Sequence, residues 1–380
     1  MPSAQTKELF APFFVNLTDP RMRRTQRHSL LDILVIAVCA TVAGADGWAD
    51  VERFGKAKID FFRSFLDLPN GIPSHDTFGR LFARLEPAAL LVGIQQWLAA
   101  LHATVAGEVV AIDGKTLRGS FDTAAEQNPL HLVSAWATEA RVMLGQVAVD
   151  AKSNEITAIP VLLELLDLKG CIVTIDAMGC QKEIAATIRD READYVLALK
   201  DNHPNLHQAV HDAFIDQAKQ GFPEPSMRRR KTVDRGHGRV ETREYFIMSV
   251  PAELEGAGSW RDLRSIGMVL RTRAIDGVTS AEVSYYLCSM PSNVRKFAEA
   301  ARGHWGIENR LHWILDVTFS EDQSRVRKDH GAANLGMLRR LALSILQQDT
   351  ASKDSLRGKR LIAGWDEERL LKMITGFQGK

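Results

Sequence analysis

The sequence predicts an α/β fold: a mixed sheet flanked by helices, with a helical N-terminal domain before it and a mostly β insertion within it. Three observations carry that expectation. Residues 30–43 and 51–66 place apolar side chains at helical spacing with no competing strand pattern. Residues 107–200 alternate β-branched runs with helical ones in the order β-β-β-α-β-α-β. Residues 205–293 return to strand-like runs before helix resumes at Val294. The expected divisions are therefore 1–106, 107–204, 205–293 and 294–380.

The apolar run 33–43 opens the helical part. At eleven residues it falls well short of the roughly 20 a bilayer-spanning helix needs, so it predicts a buried core helix. Gly44-Ala45-Asp46-Gly47 and Pro69-Asn70-Gly71-Ile72-Pro73 punctuate helix junctions, and Ser74 is placed to cap the helix that follows. That helix carries Phe78, Leu81, Phe82 and Leu85 inward and leaves His75, Arg80 and Arg84 outside. This pattern suits a DNA-reading helix-turn-helix or an ordinary small bundle. Residues 1–10 hold Lys7 and Glu8 and no apolar stretch, so no secretory leader is expected there.

In the middle of the chain, residues 108–114, 130–138 and 142–149 read as three strands. A helix over 156–168 follows, then a strand over 171–177, a helix over 181–192 and a strand over 195–200. In the insertion, strands are expected around 245–249, 266–272 and 281–289.

A composition of 25% charged and 45% hydrophobic residues over 380 positions excludes disordered and fibrous classes. The formal charge of +1 speaks neither for an acidic solvating protein nor for a basic nucleic-acid coat. Local clustering differs: residues 226–243 hold seven Lys or Arg against Asp234 and Glu241, a net of +5. Four scattered cysteines with no CxxC pair suit a reducing cytoplasm.

Two buried strands each deliver an Asp toward a sheet edge: Asp113 after Val-Val-Ala-Ile, and Asp176 after Ile-Val-Thr-Ile. Both could enter one crevice, where two carboxylates would gather Mg²⁺ or Mn²⁺; alternatively each caps the next turn. His304, Glu308, His312 and Asp316 recur at steps of four beside the apolar face Ile307, Leu311, Ile314 and Leu315. That stripe is a solvated face, a zinc site through His304, Glu308 and His312, or the source of a third acid, Glu308.

The motifs Ala-Ile-Asp113-Gly-Lys115-Thr-Leu-Arg118-Gly-Ser, Thr-Ile-Asp176-Ala-Met-Gly-Cys-Gln-Lys182, Leu-Lys200-Asp-Asn202-His203-Pro, Asp234-Arg-Gly-His237-Gly-Arg239 and His304-Trp305-Gly-Ile-Glu308-Asn309-Arg-Leu-His312-Trp313-Ile-Leu-Asp316-Val resemble those of the DDE transposases of bacterial insertion sequences, in the H-repeat-associated branch. The resemblance covers most of the chain. It implies an RNase H-like catalytic core, the catalytic and metal-binding triad Asp113, Asp176 and Glu308, and two Mg²⁺ (or Mn²⁺) ions. It also implies a β-rich insertion between Asp176 and Glu308. Strand cleavage and transfer at the terminal inverted repeats and target DNA, a homodimer on DNA and a cytoplasmic, nucleoid-associated location follow from it. Of the Tyr-Arg-Glu-Lys signature of related transposases only the Glu is kept; Ala301, His304 and Leu315 stand at the other positions.

Phosphate contact is expected from Lys115, Arg118, Lys182, Lys200, His203, Arg228, Arg229, Arg230, Arg235, His237, Arg239, His304 and Asn309, and from the arm Arg21-Met-Arg23-Arg24-Thr-Gln-Arg27. Trp260 is expected in the core rather than stacked on a base, and Trp305 and Trp313 are expected to pack around the Glu308 helix. The rival readings are a two-metal nuclease or resolvase, an inactive transposase-derived DNA-binding protein, and a zinc hydrolase.

Overall fold

The computed structural model describes residues 10–101, 105–121, 128–149, 153–221, 227–236, 238–275 and 278–376. Helices α1 (Leu30–Val42), α2 (Trp48–Ala57), α3 (Ile59–Arg63), α4 (His75–Arg84) and α5 (Pro87–Leu101) precede strand β1 (Val109–Leu117) and the hairpin β2 (Leu130–Ala137) and β3 (Val142–Ala148). Next come α6 (Glu155–Glu164), β4 (Ile172–Ile175), α7 (Lys182–Asp190), β5 (Asp194–Leu199) and α8 (Pro204–Lys219). Four long strands follow: β6 (Met227–Gly236), β7 (Arg239–Ser249), β8 (Ser265–Ile275) and β9 (Val278–Cys288). The chain closes with α9 (Val294–Ile307), a π-helical turn (Glu308–His312), α10 (Trp313–Phe319), α11 (Gly331–Gln348), α12 (Leu356–Trp365) and α13 (Glu367–Thr375). No described helix is long and apolar enough to cross a membrane. Two compact units result, one of Met1–Thr104, Gly114–Lys152 and Glu308–Lys380, the other of Val105–Asp113 and Ser153–Ile307.

The first unit has strand order β3-β2-β1 and is organised around α11, whose residues 331–346 are all buried. A helix buried on every side must be enclosed, and α11 is enclosed by α1, α4, α5 and β3. The helices before β1 therefore share a core with a helix more than two hundred residues downstream. Asn334, inside α11, donates to the Phe82 and Leu85 carbonyls at 2.6 and 2.9 Å, satisfying groups at the end of α4. Helix α1 is buried from Asp32 to Val42, as its apolar run predicts, and Ser29 caps it by accepting from the Asp32 N–H.

Helix α4 begins after Ser74, and Phe78, Leu81 and Phe82 are buried while His75, Arg80 and Arg84 are exposed, as predicted. The cap comes from elsewhere: Ser74 bonds the Thr77 hydroxyl, and Glu52 on α2 accepts from both the backbone N–H and Nδ1 of His75 at 2.7 Å. Lys56, and then His75, hold the Glu52 carboxyl down at about 2. Because the folded value lies below the unfolded one, this contribution is complete above the ordinary carboxylate range and disappears as pH falls toward 2. Glu52→Gln should therefore lower the urea midpoint at pH 7 and flatten its decline between about pH 5 and pH 2; a variant midpoint that tracks wild type at every pH would refute the assignment.

The second unit has strand order β1-β4-β5-β9-β8-β7-β6. Strands β1, β4 and β5 run parallel, and β9, β8, β7 and β6 extend the sheet antiparallel. The continuous apolar stretches of β1 and β4 fit strands covered on both faces. Helix α9 crosses this sheet, with the tip of the Phe297 ring against Gly267: a Cβ there would fall 2.4 Å from the ring. Gly267→Ala is accordingly expected to cost roughly 1–3 kcal/mol by overpacking, measured by denaturant unfolding.

The insertion is mostly β, and its strands are longer than their apolar patterns suggest. The basic entry of the insertion, for which no strand was expected before residue 245, holds β6 and the start of β7. The outer halves of these strands are largely solvent-exposed, so they carry charges where apolar alternation would mark a strand.

Candidate active site and nucleic-acid interface

Strands β1 and β4 pair in parallel with Ile112 opposite Ile175, so Asp113 and Asp176 each follow the last registered pair and emerge side by side. Neighbouring strands stand about 4.8 Å apart, which places the two acids in adjacent positions at one end of the pairing. Both are partly buried. Asp113 does not end its strand, as the sequence suggested; β1 continues to Leu117.

Asp176 also serves the turn that follows it. Its Oδ1 accepts from the Met178 and Gly179 amides at 3.0 and 3.2 Å, the local capping expected of an Asp at a strand end. Gly179 is obligatory there, since a Cβ would meet Ile175 at 2.3 Å. Asn202 donates to the Ala177 carbonyl at 2.7 Å, and His203 Nε2 stands 2.7 Å from the Cys180 carbonyl, so the motif after β5 braces the loop after β4. His203 also meets Trp260 edge to face, and Trp260 is buried, as expected. His203 thus supports the loop through one ring nitrogen.

His304 Nδ1 is 3.3 Å from the Thr174 hydroxyl. Burial pushes its imidazole below the ordinary histidine range, with Asp176 opposing, which disfavours the imidazolium a phosphate contact would use. Glu308 is exposed and begins the π turn, a distortion that recurs at functional sites. Steps of four run ahead of a 3.6-residue turn, and the π turn absorbs the excess, so Ile307, Leu311 and Leu315 all remain buried. The helical stripe expected from His304 to Asp316 is thus interrupted by the π turn. Trp305 and Trp313 do not pack around it as expected: they are 40% and 58% exposed, and the Arg271 guanidinium lies 4.7 Å over the Trp305 ring.

Within the first unit, the residues after Asp113 turn inward. Lys115 is buried and bonded to Asp316, with Glu321 and Asp322 each at 3.6 Å, so its charge is met by protein carboxylates rather than left for phosphate. Arg118 is exposed but pairs with Asp322 at 3.5 Å. Glu321 and Arg340, both fully buried, pair at 2.8 Å, and Arg340 reaches Ser134 at 3.2 Å. The sequence reading missed this pair; its signal was Arg339-Arg340 in the midst of an apolar helix.

The basic run is divided by the strand pleat. Register places Arg228 and Arg230 on the sheet face that carries Tyr245, Tyr286 and α9, and Arg229, Lys231 and Arg235 on the opposite face. Arg229 and Lys231 both reach Glu244. Arg243 is buried against Asp234 and Glu241, so it leaves the cluster counted from sequence. Arg228, Arg230, Arg235 and Arg239 are exposed, as are Lys182 at the start of α7, Lys200 after β5 and Asn309 in the π turn; His237 lies outside the described residues. In the N-terminal arm, Arg23, Arg24 and Arg27 are exposed, whereas Arg21 is held by Asp19 at 2.7 Å.

Carboxylate oxygens at adjacent register positions suit a hard divalent cation, and Asp113 and Asp176 fit as donors. Among the described residues no three His, Cys, Asp or Glu side chains are gathered as a metal cluster, which holds for Asp113, Asp176 and Glu308 as it does for His304, Glu308 and His312.

Comparison with known proteins gives a consistent result. The family model described as "Transposase DDE domain" matches residues 106–345, and one described as "DDE_Tnp_1-associated" matches residues 11–98. The chain is 40% identical over 348 residues to "Putative transposase YncI" of Escherichia coli O157:H7, covering 90% of this chain and 88% of the relative. It is 37% identical over 364 residues to "H repeat-associated putative transposase YhhI" of Escherichia coli K12, covering 94% and 96%. Among solved structures, a piggyBac transposase synaptic complex with hairpin DNA aligns over 97% of this chain and 77% of its own, at 10% identity and a TM-score of 0.43.

Proposed function

Because the chain belongs to the DDE transposases of the H-repeat-associated branch, we propose that it binds the ends of its insertion sequence and catalyses DNA strand cleavage and strand transfer. The observation that carries this reading is the placement of Asp113 and Asp176 beside each other at one end of two parallel buried strands. The strand orders β3-β2-β1 and β1-β4-β5 suit an RNase H-like core.

Asp113, Asp176 and Glu308 would hold Mg²⁺ or Mn²⁺, two ions in the proposed site. Bound there, such ions offset charge on the attacking and leaving oxygens of an in-line phosphoryl transfer. The protein's own part is positional: the β1–β4 register sets the spacing of two acids, the Met178 and Gly179 amides fix Asp176 Oδ1, and the π turn presents Glu308. Water is the first nucleophile, freeing a 3′-hydroxyl, and that hydroxyl then attacks target DNA.

Lys182, Lys200, Asn309, Arg228, Arg230, Arg235 and Arg239 are the proposed backbone contacts, giving affinity with a steep salt dependence. A homodimer holding two ends, in the compartment of the chromosome, completes the proposal.

The test is incubation of purified protein with DNA carrying its element's ends and Mg²⁺, mapping cut positions and joined products. Cuts at the ends followed by joining to target support the proposal. Cuts without joining would assign a nuclease or resolvase, and binding without cuts an inactive relative.

A further inference from the structure

We propose that Lys115 is a positioning residue for Glu308: its buried ammonium pins the segment after Glu308 onto strand β1. The inference rests on the transposase reading and deepens it, by assigning a basic residue of the first acidic motif to the placement of the third acid.

Lys115 has three N–H donors and three carboxylates around them: Asp316, which it bonds, and Glu321 and Asp322, each at 3.6 Å. Of these carboxylates only Glu321 is fully buried, where an unanswered charge is costly, while Asp316 and Asp322 keep partial access to solvent. Arg340 answers Glu321 at 2.8 Å and Arg118 answers Asp322 at 3.5 Å, so three cations meet three anions. The closed network joins β1, α10, the turn over Glu321–Gln323 and α11.

Contacts to the backbone dock the same pieces. A Cβ at Gly119 would fall 2.4 Å from the Ser324 carbonyl and 2.7 Å from that of Asp322, so only glycine lets the two backbones meet. Arg327 Nε donates to the Gly119 carbonyl at 3.3 Å. Lys115, Arg118 and Gly119 therefore all engage residues 316–327.

The geometry links this dock to the chemistry. Asp113 and Lys115 stand two apart on β1 and so share a face of the strand. Asp316 stands eight residues after Glu308, joined to it by the π turn and the first residues of α10. Loosening the Lys115 network frees the segment that carries Glu308.

The experiment compares the full-length wild type with Lys115→Met, Lys115→Arg and Gly119→Ala on DNA carrying the element's ends. For Lys115→Met and Gly119→Ala, single-turnover cleavage should fall by roughly 10–100-fold, and the Mg²⁺ concentration giving half-maximal rate should rise about tenfold. Affinity for the ends and its salt dependence should stay at wild-type values. Amide hydrogen exchange over residues 308–322 should accelerate while that of β4 and β5 does not, and Lys115→Arg should recover part of each effect. Weakened DNA binding with a salt slope reduced by about one in Lys115→Met would make Lys115 a phosphate contact and overturn the proposal. A lower cleavage amplitude at an unchanged Mg²⁺ midpoint would reduce it to a stability residue and overturn it equally. If wild-type protein fails to cut, the transposase reading falls, and the exchange rates over residues 308–322 alone decide whether Lys115 pins that segment.

Discussion

Asp176→Asn is expected to reduce strand cleavage by roughly 10³-fold or more, equivalent to about 4 kcal/mol of transition-state stabilisation, while leaving folding and end binding near wild type. The choice of asparagine follows from the turn. Asp176 Oδ1 accepts from the Met178 and Gly179 amides, and an amide oxygen can accept the same two bonds. Asp176→Ala would lose the turn along with the carboxylate, mixing a structural loss with a chemical one. Asparagine removes only the negative charge that a divalent cation needs. Asp113→Asn should behave alike, because the register puts it in the equivalent position on the neighbouring strand. The measurements are single-turnover cleavage in Mg²⁺, a binding titration on end DNA and thermal unfolding. Near wild-type cleavage by either variant would sink the triad assignment.

The second large effect concerns stability. Arg340→Met should destabilise the protein by roughly 3–5 kcal/mol, because it leaves the fully buried Glu321 facing Lys115 alone. Burying two charges is costly, and the pair offsets that cost only while both partners remain. The companion variant Arg340→Met with Glu321→Leu removes both charges and should recover most of the loss. Denaturant midpoints of the two variants test this: a double variant no more stable than the single one would show that Arg340 contributes through packing and its Ser134 contact.

Much of the architecture was legible in local pattern. The order β-β-β-α-β-α-β, the enclosed helix α1 and the inward face of α4 follow from where apolar side chains fall, because burial on all sides gives a continuous apolar run and burial of one face a period of 2 or 3.6. The two Asp residues were legible for the same reason, each standing where a buried apolar run meets a polar edge. The strands of the insertion were legible only where buried. Across the outer halves of β6 to β9 the chain faces solvent, so nothing in its hydropathy marks a strand.

The charged residues were the least legible. Arg228, Arg229 and Arg230 are consecutive in sequence, yet the pleat sends alternate members to opposite faces, so one run becomes two smaller groups. Lys115 and Arg118 look alike as members of one motif; the first is 8% exposed and the second 83%. Trp305 and Trp313 were expected to pack around the Glu308 helix, and both stand at the surface on either side of the π turn.

The sequence by itself determined the buried elements, their order and an acid at the end of each of two apolar runs, because each is a property of side chains a few residues apart; the β1–β4 register made the two acids neighbours. Only the tertiary structure decided which charges are met internally. Lys115 meets a carboxylate 201 residues away and Arg340 a hydroxyl 206 residues away. A lysine bound to water and a lysine bound to a distant aspartate have the same neighbours in the chain, so local pattern cannot distinguish them. Folding does, by bringing β1, α10 and α11 together around one closed set of charges.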